Sequence, residues 1–166
     1  YTNDYYENCV NQNPLFIQNV KEEISEILIP EVNKCISSVK ETLDGRGYQI
    51  RGNVEDISID IVTGKIIIKI DYPLSIRKDD FTESFEGFEI NKKSGVYELL
   101  TIGSSIVNYE AVYGDADAVA YMTLYPNVRV EKLNQADGNT IYKVSDRTTG
   151  EKFQFASRSL VLPPGY

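Results

Sequence analysis

Between Leu15 and Leu43 the apolar residues recur at steps of three and four, which is the spacing of one face of a helix. Gly45 and Gly47 follow directly and favour a helix end. Pro30 interrupts the pattern, because proline removes a backbone donor and crowds the preceding helical turn. We therefore predict a long N-terminal amphipathic helix that is kinked or broken at Pro30.

Beyond Gly47 the apolar residues follow a period of two, which is the period of a β-strand. Thr63-Gly64 separates two alternating runs and predicts a tight hairpin turn, and residues 48–52 predict a strand before it. Because proline cannot donate to a central ladder, we expect the second hairpin strand to end at Pro73 or to lie at an edge there. The alternating positions are Ile57, Ile59 and Ile61, then Ile66, Ile68 and Ile70.

The second half of the chain repeats the change from helix to strand. Residues 81–90 are interpreted as a weaker extended segment, and residues 95–125 predict helix with an interruption at Gly114-Asp115. Three short strands separated by turn residues follow, at 128–133, 140–146 and 153–157.

These elements predict an α+β fold in which the N-terminal helix packs on an antiparallel sheet, in the order helix, sheet, helix, sheet. A length of 166 residues suits one domain, so we interpret 1–166 as a single domain. Within it, residues 1–14 form a polar leader and residues 160–166 form a tail.

Charge and composition exclude several functions. The chain has 17 basic and 25 acidic residues, a formal charge of −8 and no histidine. Nucleic-acid binders need a basic face, so no nucleic-acid partner is expected. Without histidine there is no Ser-His-Asp unit and no His-ligated metal site, and we predict neither a metal nor a cofactor. Asp115 and Asp117 match the start of a calcium loop, but the later ligands are missing, so a helix N-cap is the better interpretation.

Acidic residues concentrate before and within the segment 81–90. They could present paired carboxylates for glycan chemistry, although a solvated acidic edge is the more ordinary interpretation. No complete catalytic constellation is found, so we do not predict an enzyme. The acidic residues are Asp79, Asp80, Glu83, Glu86 and Glu89.

Tyrosine is the most distinctive residue type, with 12 copies and no tryptophan. Tyr109 and Tyr113 are four residues apart, as are Tyr121 and Tyr125, so each pair shares a helix face. A tyrosine-lined face suits protein or carbohydrate contacts, because the ring is apolar while its hydroxyl stays hydrated. These four residues are our candidate binding surface, and the alternative is a half-buried rim of the core.

Cys9 and Cys35 are a candidate disulfide. If residues 15–35 formed one straight helix, they would span roughly 30 Å. The six steps from Cys9 to Leu15 reach back about 21 Å, and a disulfide needs Cα atoms within about 7 Å. An intramolecular bond therefore requires a helix break at Pro30. The alternatives are two unpaired cysteines or an intermolecular bridge through Cys9.

Several short motifs lie along the chain, at Tyr6 to Cys9, Cys35-Ile36 before Gly47 to Ile50, Tyr72 to Ile76, Ile141 to Asp146 and Phe153 to Arg158. In these motifs the chain resembles the extracytoplasmic part of uncharacterised archaeal surface proteins that are anchored by an N-terminal membrane helix. The resemblance implies a location outside the cell membrane and no assigned activity.

We therefore expect a non-enzymatic extracytoplasmic domain of the cell surface, with a structural or partner-binding role. The chain starts at Tyr1 and its one methionine is Met122, so we expect that a preceding segment, such as a membrane anchor or a signal peptide, was removed. The expected partner is a protein or a surface glycan, including a second copy of the chain, with membrane contact only through the anchor. The alternatives are a pilin-like filament subunit, a carbohydrate-binding or carboxylate-based glycan-acting protein, and a cytosolic adaptor with reduced cysteines.

Overall fold

A computed structural model describes residue 11 and residues 14–159 of the chain. Over these residues the fold is α+β with the order helix, sheet, helix, sheet, as predicted. The elements are α1 (Phe16–Asp44), β1 (Gln49–Arg51), β2 (Asp56–Val62), β3 (Lys65–Lys78), β4 (Phe81–Lys93), α2 (Val96–Tyr113), α3 (Ala118–Leu124), β5 (Val128–Asn134), β6 (Thr140–Asp146) and β7 (Lys152–Ser157).

The chain folds as two compact units. Among the described residues, unit 1 contains those up to Ile17 and those from Ser94 onward, and unit 2 contains Gln18–Lys93. The prediction of a single domain over 1–166 stays a prediction. Apart from residues 11 and 14, the predicted leader and the residues 160–166 of the predicted tail lie outside the described part of the chain.

Helix α1 continues through Pro30 without interruption, so the predicted break at that residue is wrong, whereas the predicted kink stays a prediction. Pro30 is exposed, and a carbonyl that loses its helical partner on the solvent side can bond water instead. Ile29 before the proline and Val32 and Ile36 after it pack against the same buried cluster of unit 2, which holds both halves of the helix on one sheet.

The sheet of unit 2 is organised around β3, its longest strand. Strands β2 and β1 follow one another along one side of β3, and β4 lies along the other side; all three are antiparallel to β3. The predicted hairpin is confirmed, since Ile57 lies opposite Ile70 and Ile61 lies opposite Ile66. The buried cluster under α1 consists of Ile57, Ile70, Tyr72 and Leu74.

The prediction that the second hairpin strand ends or becomes an edge at Pro73 is wrong, because β3 continues to Lys78 between two neighbours. Pro73 lies in a bulge between Asp71 and Leu74. On the side of β2 and β1, pairing with β2 ends at Asp71 and pairing with β1 begins at Ser75, so the donor that proline lacks falls between two partner strands.

Unit 1 contains the predicted helices on both sides of the Gly114-Asp115 interruption and the predicted three-strand meander β5-β6-β7. Asp117 caps α3, because its side chain accepts a hydrogen bond from the Val119 N–H at 2.8 Å, as the N-cap interpretation predicted. Gly103 on α2 leaves room for the rings of Phe153 and Phe155. The buried core consists of Leu99, Ile102, Ile106, Ala116, Val128, Val130, Tyr142 and Val144.

Candidate binding surface

Strand β4 is exposed along all 13 of its residues, which is unusual for a strand with this many apolar side chains. Phe81 is 56% exposed, Phe88 is 42% exposed and Ile90 is 49% exposed. Strand β4 pairs with β3 on one side, and among the described residues no strand pairs with its other side. The sequence pattern predicted an extended segment here but not an open edge strand.

The exposed rings of β4 lie on the same face of the sheet as the core of unit 2. Phe85 lies opposite Leu74 and Phe88 lies opposite Ile70, so both rings share the face of the buried cluster. Their ring centroids are 5.9 Å apart and stacked, and the ring of buried Tyr72 lies 6.3 Å from that of Phe88, edge to face. The rings therefore form an exposed aromatic surface on a hydrogen-bonded strand.

The predicted acidic cluster is spread along this strand. Asp79 and Asp80 form the turn before β4, whereas Glu83, Glu86 and Glu89 follow one another along it. Because successive glutamates are three residues apart, each step covers about 10 Å of strand. The acidic side chains therefore line an edge rather than converge on one point.

An open cavity of about 500 Å³ lies at the turn between β3 and β4, lined by Tyr48, Lys78, Asp79, Asp80 and Phe81. The Lys78 Nζ is 4.5 Å from the centroid of the Tyr48 ring and donates to the Arg46 carbonyl at 3.0 Å. Lys78 therefore connects the residues that follow α1 to the sheet.

The four tyrosines singled out in the sequence all belong to unit 1. Tyr109 and Tyr113 are exposed on α2, with ring centroids 5.0 Å apart. Tyr121 is only partly exposed and packs against the core, and its hydroxyl is 3.0 Å from the Ser105 hydroxyl. Tyr125 is exposed at the end of α3. The structure brings Tyr109 and Tyr113 into one patch and assigns Tyr121 to the rim of the core.

A buried polar cluster that was not predicted from the sequence surrounds Glu110, a charged residue that is 3% exposed. The Tyr142 hydroxyl donates to the Glu110 Oε1, and the Ala116 N–H donates to the same oxygen at 2.8 Å. The Lys132 Nζ is 3.8 Å from that oxygen and 2.5 Å from the Asp115 Oδ1. Burial, and then the hydrogen bond to Glu110, raise the pKa of Tyr142.

The position of Glu110 in the sequence already indicated a buried carboxylate. It continues the apolar stripe of α2 at a step of four from Ile106, and a lone carboxylate on a buried stripe needs internal partners. Here the partners fix the connection between α2 and α3, because Lys132 also donates to the Ala116 carbonyl at 3.0 Å. The cluster therefore supports the fold of unit 1.

A second carboxylate supports the start of α2. Glu151 accepts hydrogen bonds from the Gly95 N–H at 2.6 Å and from the Ser94 hydroxyl at 2.7 Å. The Gly95 N–H contributes most to holding the pKa of Glu151 below its usual range. Asp146 closes the adjacent turn by accepting from the Thr148 and Thr149 N–H groups, so both acids have structural partners.

Cys35 is exposed on α1, whereas Cys9 lies outside the described residues. The helix break on which an intramolecular disulfide depended does not occur, and the pairing itself stays a prediction. Over residue 11 and residues 14–159, no group of three or more Cys, Asp or Glu side chains is arranged to hold a metal ion. In the same residues, every helix is too short or too polar to cross a membrane.

The chain matches no protein-family model, no curated protein and no solved structure. The residues described above are therefore interpreted from their geometry alone.

Proposed function

We propose that the chain is a non-enzymatic, protein-binding domain of an extracytoplasmic surface protein, and that its binding surface is strand β4. The observation that carries this proposal is the exposure of stacked phenylalanine rings on an edge strand with an open side, Phe85 and Phe88 above all. The extracytoplasmic location rests on the resemblance to anchored archaeal surface proteins.

An open edge strand is suited to bind another protein through its backbone. Its unpaired N–H and C=O groups accept an added strand, and the side chains along the edge select the partner. On β4 the three phenylalanines and Ile90 would lose water on binding, which favours association. A protein with an edge of this kind is prone to non-specific pairing unless a partner covers it.

The polar clusters of unit 1 support a non-enzymatic role. Glu110 and Tyr142 satisfy one another in the interior, and Glu151 accepts hydrogen bonds from the start of α2. These are the arrangements expected of groups that stabilise a fold, whereas a catalytic pair needs room for a reacting atom beside it.

Site-specific photo-cross-linking of the full-length protein in the envelope of its own cells tests the proposal. Benzoylphenylalanine replaces Phe88 in one variant and Val39 in the control, because Val39 is an exposed apolar residue on α1. We expect protein adducts from position 88 and none from position 39. Absence of adducts from position 88, or equal adducts from both positions, would contradict the proposal.

A second candidate is glycan binding by Tyr109 and Tyr113, favoured by their exposed rings 5.0 Å apart on α2. Aromatic rings with free faces bind the apolar faces of sugars. A glycan array probed with the unmodified protein and with Tyr109→Ala tests it. Binding that is lost in Tyr109→Ala and kept in Tyr125→Ala supports this candidate; absence of binding, or binding unchanged by Tyr109→Ala, removes it.

A further inference from the structure

We infer that the partner of β4 is a second copy of this chain, paired β4 to β4 in antiparallel orientation about a two-fold axis. This inference rests on the proposed function of β4 as the binding surface. Two-fold dimers use the same patch on both subunits, so such a patch has to be complementary to itself. The sequence and the register of β4 meet that requirement in charge, in aromatic contacts and in the face on which the rings lie.

The charges of β4 are divided between its ends. Asp79, Asp80 and Glu83 lie at the start of the strand or just before it, and Lys92 and Lys93 lie at its end. Antiparallel pairing with a second copy brings the acidic start of one strand beside the basic end of the other, and symmetry makes this contact twice. Parallel pairing would instead place like charges side by side.

One symmetric register satisfies the aromatic residues and the charges together. It places Phe85 of one copy opposite Phe88 of the other, and it brings Asp80, in the turn directly before β4, beside Lys93 at the end of β4 of the other copy. In this register no glutamate lies opposite another glutamate. Glu83 is opposite Ile90, Glu86 is opposite Gly87, and Glu89 is opposite Ser84.

The side chains lie on suitable faces for this pairing. Phe85 and Phe88 share the face of the buried cluster, since their partners across the ladder are Leu74 and Ile70. In a two-fold pair with its axis perpendicular to the sheet, residues directly opposite must share a face, and this pair does. Strand β4 has 13 residues and would offer about 40 Å of edge, well above the usual strand length.

Sedimentation equilibrium of the full chain under reducing conditions tests the inference, because a reductant removes any dimer held by cysteine. We expect a monomer–dimer equilibrium. Lys93→Glu places an acid beside Asp80 of the other copy, so the dissociation constant of the dimer should rise about tenfold. Lys34→Glu makes the same change of charge at an exposed site on α1 and should leave the constant unchanged.

A double variant separates lost pairing from lost folding. Asp80→Lys combined with Lys93→Glu restores opposite charges in the same register, so it should recover the original dissociation constant. A monomeric unmodified protein would overturn the inference, as would equal effects of Lys93→Glu and Lys34→Glu, or failure of the double variant to recover while its circular dichroism is unchanged.

The outcome also distinguishes the inference from the proposed function. If the chain is monomeric but benzoylphenylalanine at Phe88 still cross-links a different protein, β4 is a binding surface for another partner and only the inference falls. If the cross-linked product has twice the mass of the full-length protein, both stand.

Discussion

Replacing Tyr142 with phenylalanine should destabilise unit 1 by removing a single hydroxyl from its interior. Tyr142 is 0% exposed, and its hydroxyl donates to the buried carboxylate of Glu110. The phenyl ring keeps its volume, so no cavity contribution is expected. A buried hydrogen bond to a charged acceptor contributes about 1.5–3 kcal/mol, and Glu110 keeps the Ala116 N–H and Lys132 as partners. We expect the free energy of unfolding to fall by about 2 kcal/mol.

A double-mutant cycle with Glu110→Ala isolates the interaction. Glu110→Ala alone leaves the Tyr142 hydroxyl and the Ala116 N–H buried without their acceptor, which should cost about 3–5 kcal/mol. In that background Tyr142→Phe removes an unsatisfied group, so its further cost should be close to zero. The coupling free energy between the two positions should therefore be at least about 1 kcal/mol.

Urea unfolding followed by circular dichroism at neutral pH measures these changes. Tyr125→Phe is the matched control, because Tyr125 is 47% exposed and its variant should stay within about 0.5 kcal/mol of the unmodified protein. A change for Tyr142→Phe as small as that of the control, or a cycle without coupling, would refute the reasoning.

The pH dependence gives an independent check of the same contact. The pKa of Tyr142 is raised in the folded protein, first by burial and then by its hydrogen bond to Glu110. The unfolded chain loses this proton near its ordinary pKa of about 10, so the stabilisation is complete below that pH and is lost as the pH rises above it. The difference between the unmodified protein and Tyr142→Phe should therefore shrink above about pH 10; a constant difference would contradict it.

Two further predictions concern backbone crowding and acid stability. In urea unfolding, Gly52→Ala should destabilise the protein by at least about 1 kcal/mol more than Gly64→Ala. Both glycines have positive φ, but only at Gly52 would the added Cβ overlap the Pro73 carbonyl. Equal losses of stability in the two variants would refute this prediction. The hydrogen bond from the Gly95 N–H lowers the pKa of Glu151 in the folded protein, so this bond stabilises the fold above the unfolded pKa near 4.5 and the stabilisation is lost as the pH falls. Glu151→Gln should therefore reduce the loss of stability at acid pH. An unchanged loss of stability at acid pH would refute this prediction.

Periodic segments could be predicted because their signal is local. The alternating isoleucines around Thr63-Gly64 predicted the correct hairpin, since a side-chain period of two follows from strand geometry alone. The strand prediction for residues 81–90 was weaker, because Phe85 and Phe88 are three residues apart and Gly87 lies between them. Glycine is required at position 87 because a Cβ there would lie 2.5 Å from the Ile70 carbonyl oxygen, a close approach that pairing with β3 creates.

The rule for proline failed at Pro73 for a related reason. The rule assumes one neighbour along the whole side of a strand, whereas β3 changes neighbour at Pro73 from β2 to β1. Strands β2 and β1 lie at different distances from β3 along the chain. The residues around Pro73 therefore do not show that the paired strand changes there. Glu110 differs, because its place on the apolar stripe of α2 was visible, although its partners Tyr142 and Lys132 come from other strands.

The sequence by itself determined the α+β class, the order of the elements and most of their bounds, because helix and strand periods, caps and turn glycines act over a few residues. Only the tertiary structure decided which strand has an open edge, which tyrosines are exposed, and which carboxylates are buried with partners. These properties depend on neighbours that are distant in the chain, and β4 shows the reason most clearly. Its residues Phe85 and Phe88 are exposed although their partners on β3 belong to the buried cluster of unit 2, and their own spacing does not show this.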